Sequence, residues 1–68
     1  MNIYRIIFAE NEILTCKTVN SAIVFNGIYY YEHKDGKLTH AIIQADNEEN
    51  ALTIANIIRK EAALLFIS

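Results

Sequence analysis

Residues 28–45 read IYYYEHKDGKLTHAIIQA, and this segment carries the strongest signal of the fold class. Two runs rich in Ile, Tyr and Thr flank Asp35-Gly36, a dipeptide that favours the two-residue type I′ turn of a β-hairpin. The pattern therefore predicts two antiparallel strands, over residues 28–34 and 37–45.

The predicted hairpin assigns its side chains to two faces. Counting outward from a two-residue turn, Tyr31 faces His40 and Tyr29 faces Ile42. One face would then carry Tyr29, Tyr31, His33, Leu38, His40 and Ile42. The other face would carry Ile28, Tyr30, Glu32, Thr39, Ala41 and Ile43. Two tyrosines and two histidines on one face make it the first candidate functional surface, suited to a protein contact or to base stacking.

After Asp46 the composition changes from strand formers to helix formers. We predict one amphipathic helix over residues 47–66, with Asp46 as its N-cap and Glu49 in a capping-box position. Its buried stripe would consist of Ala51, Ile54, Ala55, Ile58, Ala62, Leu65 and Phe66. Ile57 and Leu64 fall outside this stripe, and we interpret them as a second contact surface.

The first part of the chain predicts another hairpin, with strands over residues 2–9 and 12–19 joined by a tight turn at Glu10-Asn11. Strict alternation groups Tyr4, Ile6 and Phe8 with Ile13, Thr15 and Lys17. The opposite face would then hold Ile3, Arg5, Ile7, Leu14 and Cys16.

Residues 20–27 allow two interpretations. Asn26-Gly27 between apolar residues is a hairpin signal, whereas Asn20 or Ser21 as N-cap with Gly27 after the last turn would give a short helix. Either reading gives an α+β domain, an antiparallel β-meander of three to five short strands packed against one C-terminal helix.

The length of 68 residues allows a single domain, residues 1–68, with a small core. A chain of this size usually needs a disulfide, a metal or a partner for stability, and Cys16 has no second cysteine to pair with. One helix covers only one face of a sheet, whereas 53% of the residues are hydrophobic. We therefore expect a homodimer, or a complex with another protein.

The formal net charge of −2 counts against a dedicated nucleic-acid binder, because phosphate neutralisation supplies most of that affinity. The first residues do not resemble a signal peptide, and no apolar run approaches the length of a membrane span. We expect a cytoplasmic protein that does not associate with membranes.

Few residues suggest metal binding or catalysis. His33 and His40 could share a metal ion, but two ligands do not complete a site and Cys16 would have to come from another strand. Cys16 with a histidine could form a nucleophile and base, although no third group orients them. We predict no catalytic residue, no cofactor and no metal.

Three functional hypotheses follow. The first is a non-enzymatic protein-interaction or structural module that self-associates through Tyr29, Tyr31, His33 and His40 or through Ile57 and Leu64. The alternative is a small-ligand or single-stranded nucleic-acid binder that uses the predicted face of Tyr29, Tyr31 and His40. The third is an enzyme with a site at a subunit boundary, which would require a perturbed Cys16 or histidine.

Overall fold

A computed structural model describes residues 2–19 and 27–67, with side chains described as far as residue 64. The two interpretations of residues 20–26 and the predicted packing of Leu65 and Phe66 lie outside this part. The elements are β1 (Asn2–Ala9), β2 (Glu12–Thr18), β3 (Tyr29–Lys34), β4 (Lys37–Ala45) and α1 (Glu48–Ile67).

The four strands form one antiparallel sheet in the order β2-β1-β4-β3, and α1 packs on one face of it. The predicted α+β fold class, an antiparallel sheet packed against one C-terminal helix, is confirmed. The sheet is not the predicted meander, because the consecutive strands β2 and β3 are not neighbours. The two hairpins are joined through β1 and β4, so β2 and β3 lie at opposite edges of the sheet although they follow each other in the chain. We call the sheet face without the helix the open face.

The core lies between the sheet and α1. The helix contributes small residues and one isoleucine, which let it lie close to β4 and β1. The buried cluster consists of Tyr4, Ile6, Phe8, Leu38, Ala41, Ile43, Ala45, Ala51, Ala55, Ile58 and Ala62. The predicted helical stripe is confirmed at Ala51, Ala55, Ile58 and Ala62, while Ile54 is partly buried.

Both predicted tight turns are present. Glu10 and Asn11 have φ angles of 53° and 63°, and Asp35 and Gly36 have φ angles of 54° and 77°. Two successive residues with positive φ are the conformation of a type I′ turn, which matches the twist of the flanking strands.

The predicted register of the β3–β4 hairpin holds for its first two pairs, the second being His33 with Leu38, and is wrong beyond them. Lys34 faces Lys37 as expected, but the register shifts between Glu32 and His33, and Thr39 is the extra residue of the resulting bulge. Tyr31 consequently pairs with Ala41, and Tyr29 pairs with Ile43. Both tyrosines lie on the helix side of the sheet, while His40 and Ile42 lie on the open face.

A bulge also changes the predicted register of the first hairpin. The register shifts between Ile7 and Phe8, which makes Leu14 the extra residue. Cys16 therefore lies opposite Ile6 on the helix side, and Lys17 lies opposite Arg5 on the open face. The prediction had placed Cys16 and Lys17 on the reverse faces, because strict alternation does not allow for an inserted residue.

The helix begins at Glu48, and its N-cap is Asn47 rather than the predicted Asp46. The Asn47 side-chain Oδ1 accepts a hydrogen bond of 2.8 Å from the Asn50 amide. The Asn47 carbonyl accepts the first helical bond, 3.1 Å from the Ala51 amide. This is the geometry of an N-cap residue.

Candidate functional site

Two tyrosines of the edge strand β3 form a stacked pair on the helix side of the sheet. The ring centroids of Tyr29 and Tyr31 are 6.4 Å apart, with 23° between the ring planes. Both rings are half-buried and pack against the margin of the core. The bulge in β4 places them there, since without it the alternation would direct them to the open face.

The Tyr29 hydroxyl connects this pair to the helix. It donates to the Glu61 carboxylate, with oxygen–oxygen distances of 2.8 and 2.9 Å to Oε1 and Oε2. This contact places the flank of α1 that carries Glu61 beside β3.

Ile57 and Leu64 lie on the same flank, because residues three and four positions from Glu61 share its side of a helix. Ile57 is 46% exposed and Leu64 is 75% exposed. We call the area formed by Tyr29, Tyr31, Ile57 and Leu64 the tyrosine–helix surface. The sequence had presented these four residues as parts of two separate surfaces, and the fold brings them to one side of the molecule.

The hydrogen bond changes the acidity of Tyr29. Donation to Glu61 stabilises the protonated phenol and raises the pKa of Tyr29, and partial burial and the negative charge of Glu61 add to the effect. The carboxylate thus has a neutral donor throughout the physiological pH range. Glu61 lies between the tyrosines and the exposed helical residues of the tyrosine–helix surface, and the sequence gave no signal for this contact.

The two histidines are on different faces. His33 pairs with Leu38 on the helix side, close to the turn, and is exposed. His40 lies on the open face, where its Nε2 is 4.0 Å from Oε2 of Glu32. The prediction that His40 shares a face of the sheet with Tyr29 and Tyr31 is therefore wrong.

Cys16 lies on β2, at the far side of the sheet from β3. Partial burial raises the pKa of its thiol, and the Glu48 carboxylate raises it further. A thiol with a raised pKa is a poorer nucleophile and metal ligand at neutral pH. Within residues 2–19 and 27–67, no three His, Cys, Asp or Glu side chains are grouped as metal ligands.

Polar contacts attach the opposite flank of α1, which carries Arg59, to the β1–β2 turn. Arg59 donates from Nε to the Asn11 carbonyl at 2.8 Å and contacts the Glu12 carboxylate at 3.1 Å. Asn11 also accepts from the Leu38 amide through its side chain, at 3.1 Å. The helix therefore has one flank fixed to the β1–β2 turn by charge and hydrogen bonds. The flank toward β3 exposes Ile57 and Leu64 beside the polar residues Lys60 and Glu61.

The open face carries both apolar and charged side chains. Its members in register are Ile3, Arg5, Ile7, Thr15, Lys17, Tyr30, Glu32, His40, Ile42 and Gln44. Ile42 is only 4% exposed there, although α1 lies on the other face of the sheet. Its cross-strand partners are Arg5 on β1 and Tyr30 on β3.

No family model, curated protein or solved structure matches the chain. None of the helical residues that the structure describes forms a segment long and apolar enough to cross a membrane.

Proposed function

We propose that the protein is a small, non-enzymatic, cytoplasmic interaction module that forms a homodimer through the tyrosine–helix surface. The observation that carries this proposal is the contact between Tyr29 and Glu61, which joins the aromatic edge of the sheet to the exposed apolar flank of the helix. The lone thiol of Cys16 supports a reducing compartment.

The composition of the surface suits a protein contact. Tyrosine brings a large area with few rotatable bonds, and Ile57 and Leu64 add aliphatic area that is exposed on the monomer. An exposed apolar area bordered by polar groups is typical of an interaction site. The partner that this surface would meet is of the same character, apolar and aromatic.

A second copy of the chain meets that requirement. In a two-fold dimer the same patch faces itself, so an apolar patch is complementary to its own copy. Burial of a carboxylate would oppose such a contact, but the one phenol hydrogen of Tyr29, which lies between both oxygens of Glu61, already replaces part of the hydration of that group. The small core, built largely of alanines and isoleucines, gives a further reason for association.

The stacked tyrosines also support a second candidate, a binder of small aromatic ligands or single-stranded nucleic acid, since bases stack on such rings. The Glu61 carboxylate beside Tyr29 would repel a phosphate backbone, and His40 is on the other face. Under this candidate, an oligonucleotide would quench tyrosine fluorescence in a salt-dependent manner, and Tyr31→Ala would abolish the quenching.

The homodimer is tested by sedimentation of the purified protein over a dilution series. We expect a mass of two chains that declines toward one chain only at low concentration. A folded monomer at every concentration would contradict the proposal and leave the tyrosine–helix surface available for a different partner.

A further inference from the structure

The open face holds a cationic depression that the proposed dimer contact does not use. We propose that this depression, between Arg5 and Lys17, binds the phosphate group of a small soluble phosphate monoester.

The register of β1 and β2 builds the site. Arg5 lies directly opposite Lys17, and the next pair on the same face is Ile7 with Thr15. These four residues line a depression of about 260 Å³. The bulge at Leu14 is what brings Lys17 to the open face beside Arg5.

Two like charges directly opposite each other on neighbouring strands destabilise a sheet. Three acids of the sheet and its first turn have other neighbours: Glu10 pairs with Lys37, Glu12 pairs with Arg59, and Glu32 lies 4.0 Å from His40. In the part of the chain that the structure describes, neither Arg5 nor Lys17 has an ion pair. A bound dianion would remove the repulsion, so ligand and fold would stabilise each other.

The side chains in the depression favour a phosphate. Arg5 and Lys17 are donors only, and the Thr15 hydroxyl can donate as well. A guanidinium and an ammonium together match the charge of a dianionic oxyanion better than that of a single carboxylate. The depression is larger than a phosphate group, and Ile7 provides an apolar wall for the organic part of an ester.

Arg5 also has an apolar neighbour on β4. Its cross-strand partner there is Ile42, which is 4% exposed. An arginine stem beside an apolar side chain can pack on it while the guanidinium stays in water, where it can meet a phosphate.

The test is a titration with inorganic phosphate and then phenyl phosphate, observed through backbone amide NMR signals, with sodium chloride at equal ionic strength as reference. We expect saturable shifts at Arg5, Ile7, Thr15 and Lys17 that chloride does not produce. Phenyl phosphate should bind more tightly than phosphate, because its ring can contact Ile7.

Lys17→Gln should weaken binding about tenfold, as expected for loss of one charge-assisted hydrogen bond. Lys60→Gln is the matched control, because Lys60 is an exposed helical lysine away from the open face, and it should leave the affinity unchanged. Equal shifts in chloride, or equal affinity in the Lys17→Gln variant, would overturn the proposal. Binding to phosphatidic acid vesicles without binding of phenyl phosphate would also contradict a soluble ligand.

Discussion

The hydroxyl of Tyr29 lies 2.8 Å and 2.9 Å from the two carboxylate oxygens of Glu61, and this contact joins the outer strand of the sheet to the exposed flank of the helix. The two residues are 32 positions apart in sequence. Their contact defines the surface to which we assign self-association, and it has a measurable signature in the ionisation of Tyr29.

Tyr29 should ionise at a higher pH than an unperturbed tyrosine. Its pKa is raised in the folded protein, so the associated stability is fully present below the pKa of an unfolded tyrosine, about 10, and is lost as pH rises through the folded pKa. Glu61→Gln keeps an acceptor but removes the charge, and should lower the pKa of Tyr29. Tyrosinate absorbance during an alkaline titration measures this, and an unchanged profile in the variant would contradict the role of Glu61.

Removing the Tyr29 hydroxyl should reduce stability modestly. Tyr29→Phe should lower the free energy of unfolding by about 1 kcal/mol at neutral pH, the usual net contribution of a hydrogen bond. Urea unfolding at pH 7 measures the loss. At a pH well above 10 the difference between the variant and the original protein should shrink, because ionised Tyr29 no longer donates to Glu61.

The helix N-cap can be assigned by comparing two neighbouring positions. Asn47→Ala should cost about 1 kcal/mol of unfolding free energy, because the Asn50 amide loses its side-chain acceptor. Asp46→Ala should cost only a few tenths of a kcal/mol, since it removes a charge near the helix dipole and no capping bond. A larger loss at Asp46 than at Asn47 would show that the original sequence-based assignment was right.

The free energy of unfolding should be sensitive to truncation of the core residue Ile58, which has no exposed surface. Ile58→Ala should cost about 2–5 kcal/mol through lost burial and the cavity left behind, enough to unfold much of so small a domain. Leu14→Ala removes the same number of carbons from a side chain that is 63% exposed. It should cost well under 1 kcal/mol by urea unfolding, and similar losses for the two variants would contradict the assigned core.

The sequence predicted those features that depend on local chemistry. The Asp35-Gly36 turn, the helix and the buried positions Ala51, Ala55 and Ile58 all follow from propensity and from hydrophobic period. The exposure of Ile57 and Leu64 followed in the same way.

The predictions that were wrong concern which residues share a face of the sheet, and each of them depends on one inserted residue in a hairpin. Thr39 and Leu14 occupy the bulges, and neither is a glycine or another residue whose type signals one. Each insertion reverses the faces of every residue beyond it, which moved Tyr29, Tyr31 and Cys16 to the helix side. The partnership of Tyr29 with Glu61 could not be predicted, because it depends on the position of the helix over the sheet.

Sedimentation of two charge-introducing variants tests whether the tyrosine–helix surface forms the dimer contact. Leu64→Lys places a charge in the tyrosine–helix surface, whereas Leu14→Lys places one at a similarly exposed leucine at the far edge of the sheet. We predict that Leu64→Lys is a folded monomer at concentrations where the original protein and Leu14→Lys are dimers. A dimer that survives Leu64→Lys and dissociates in Leu14→Lys would exclude the tyrosine–helix surface as the contact and assign the contact to β2.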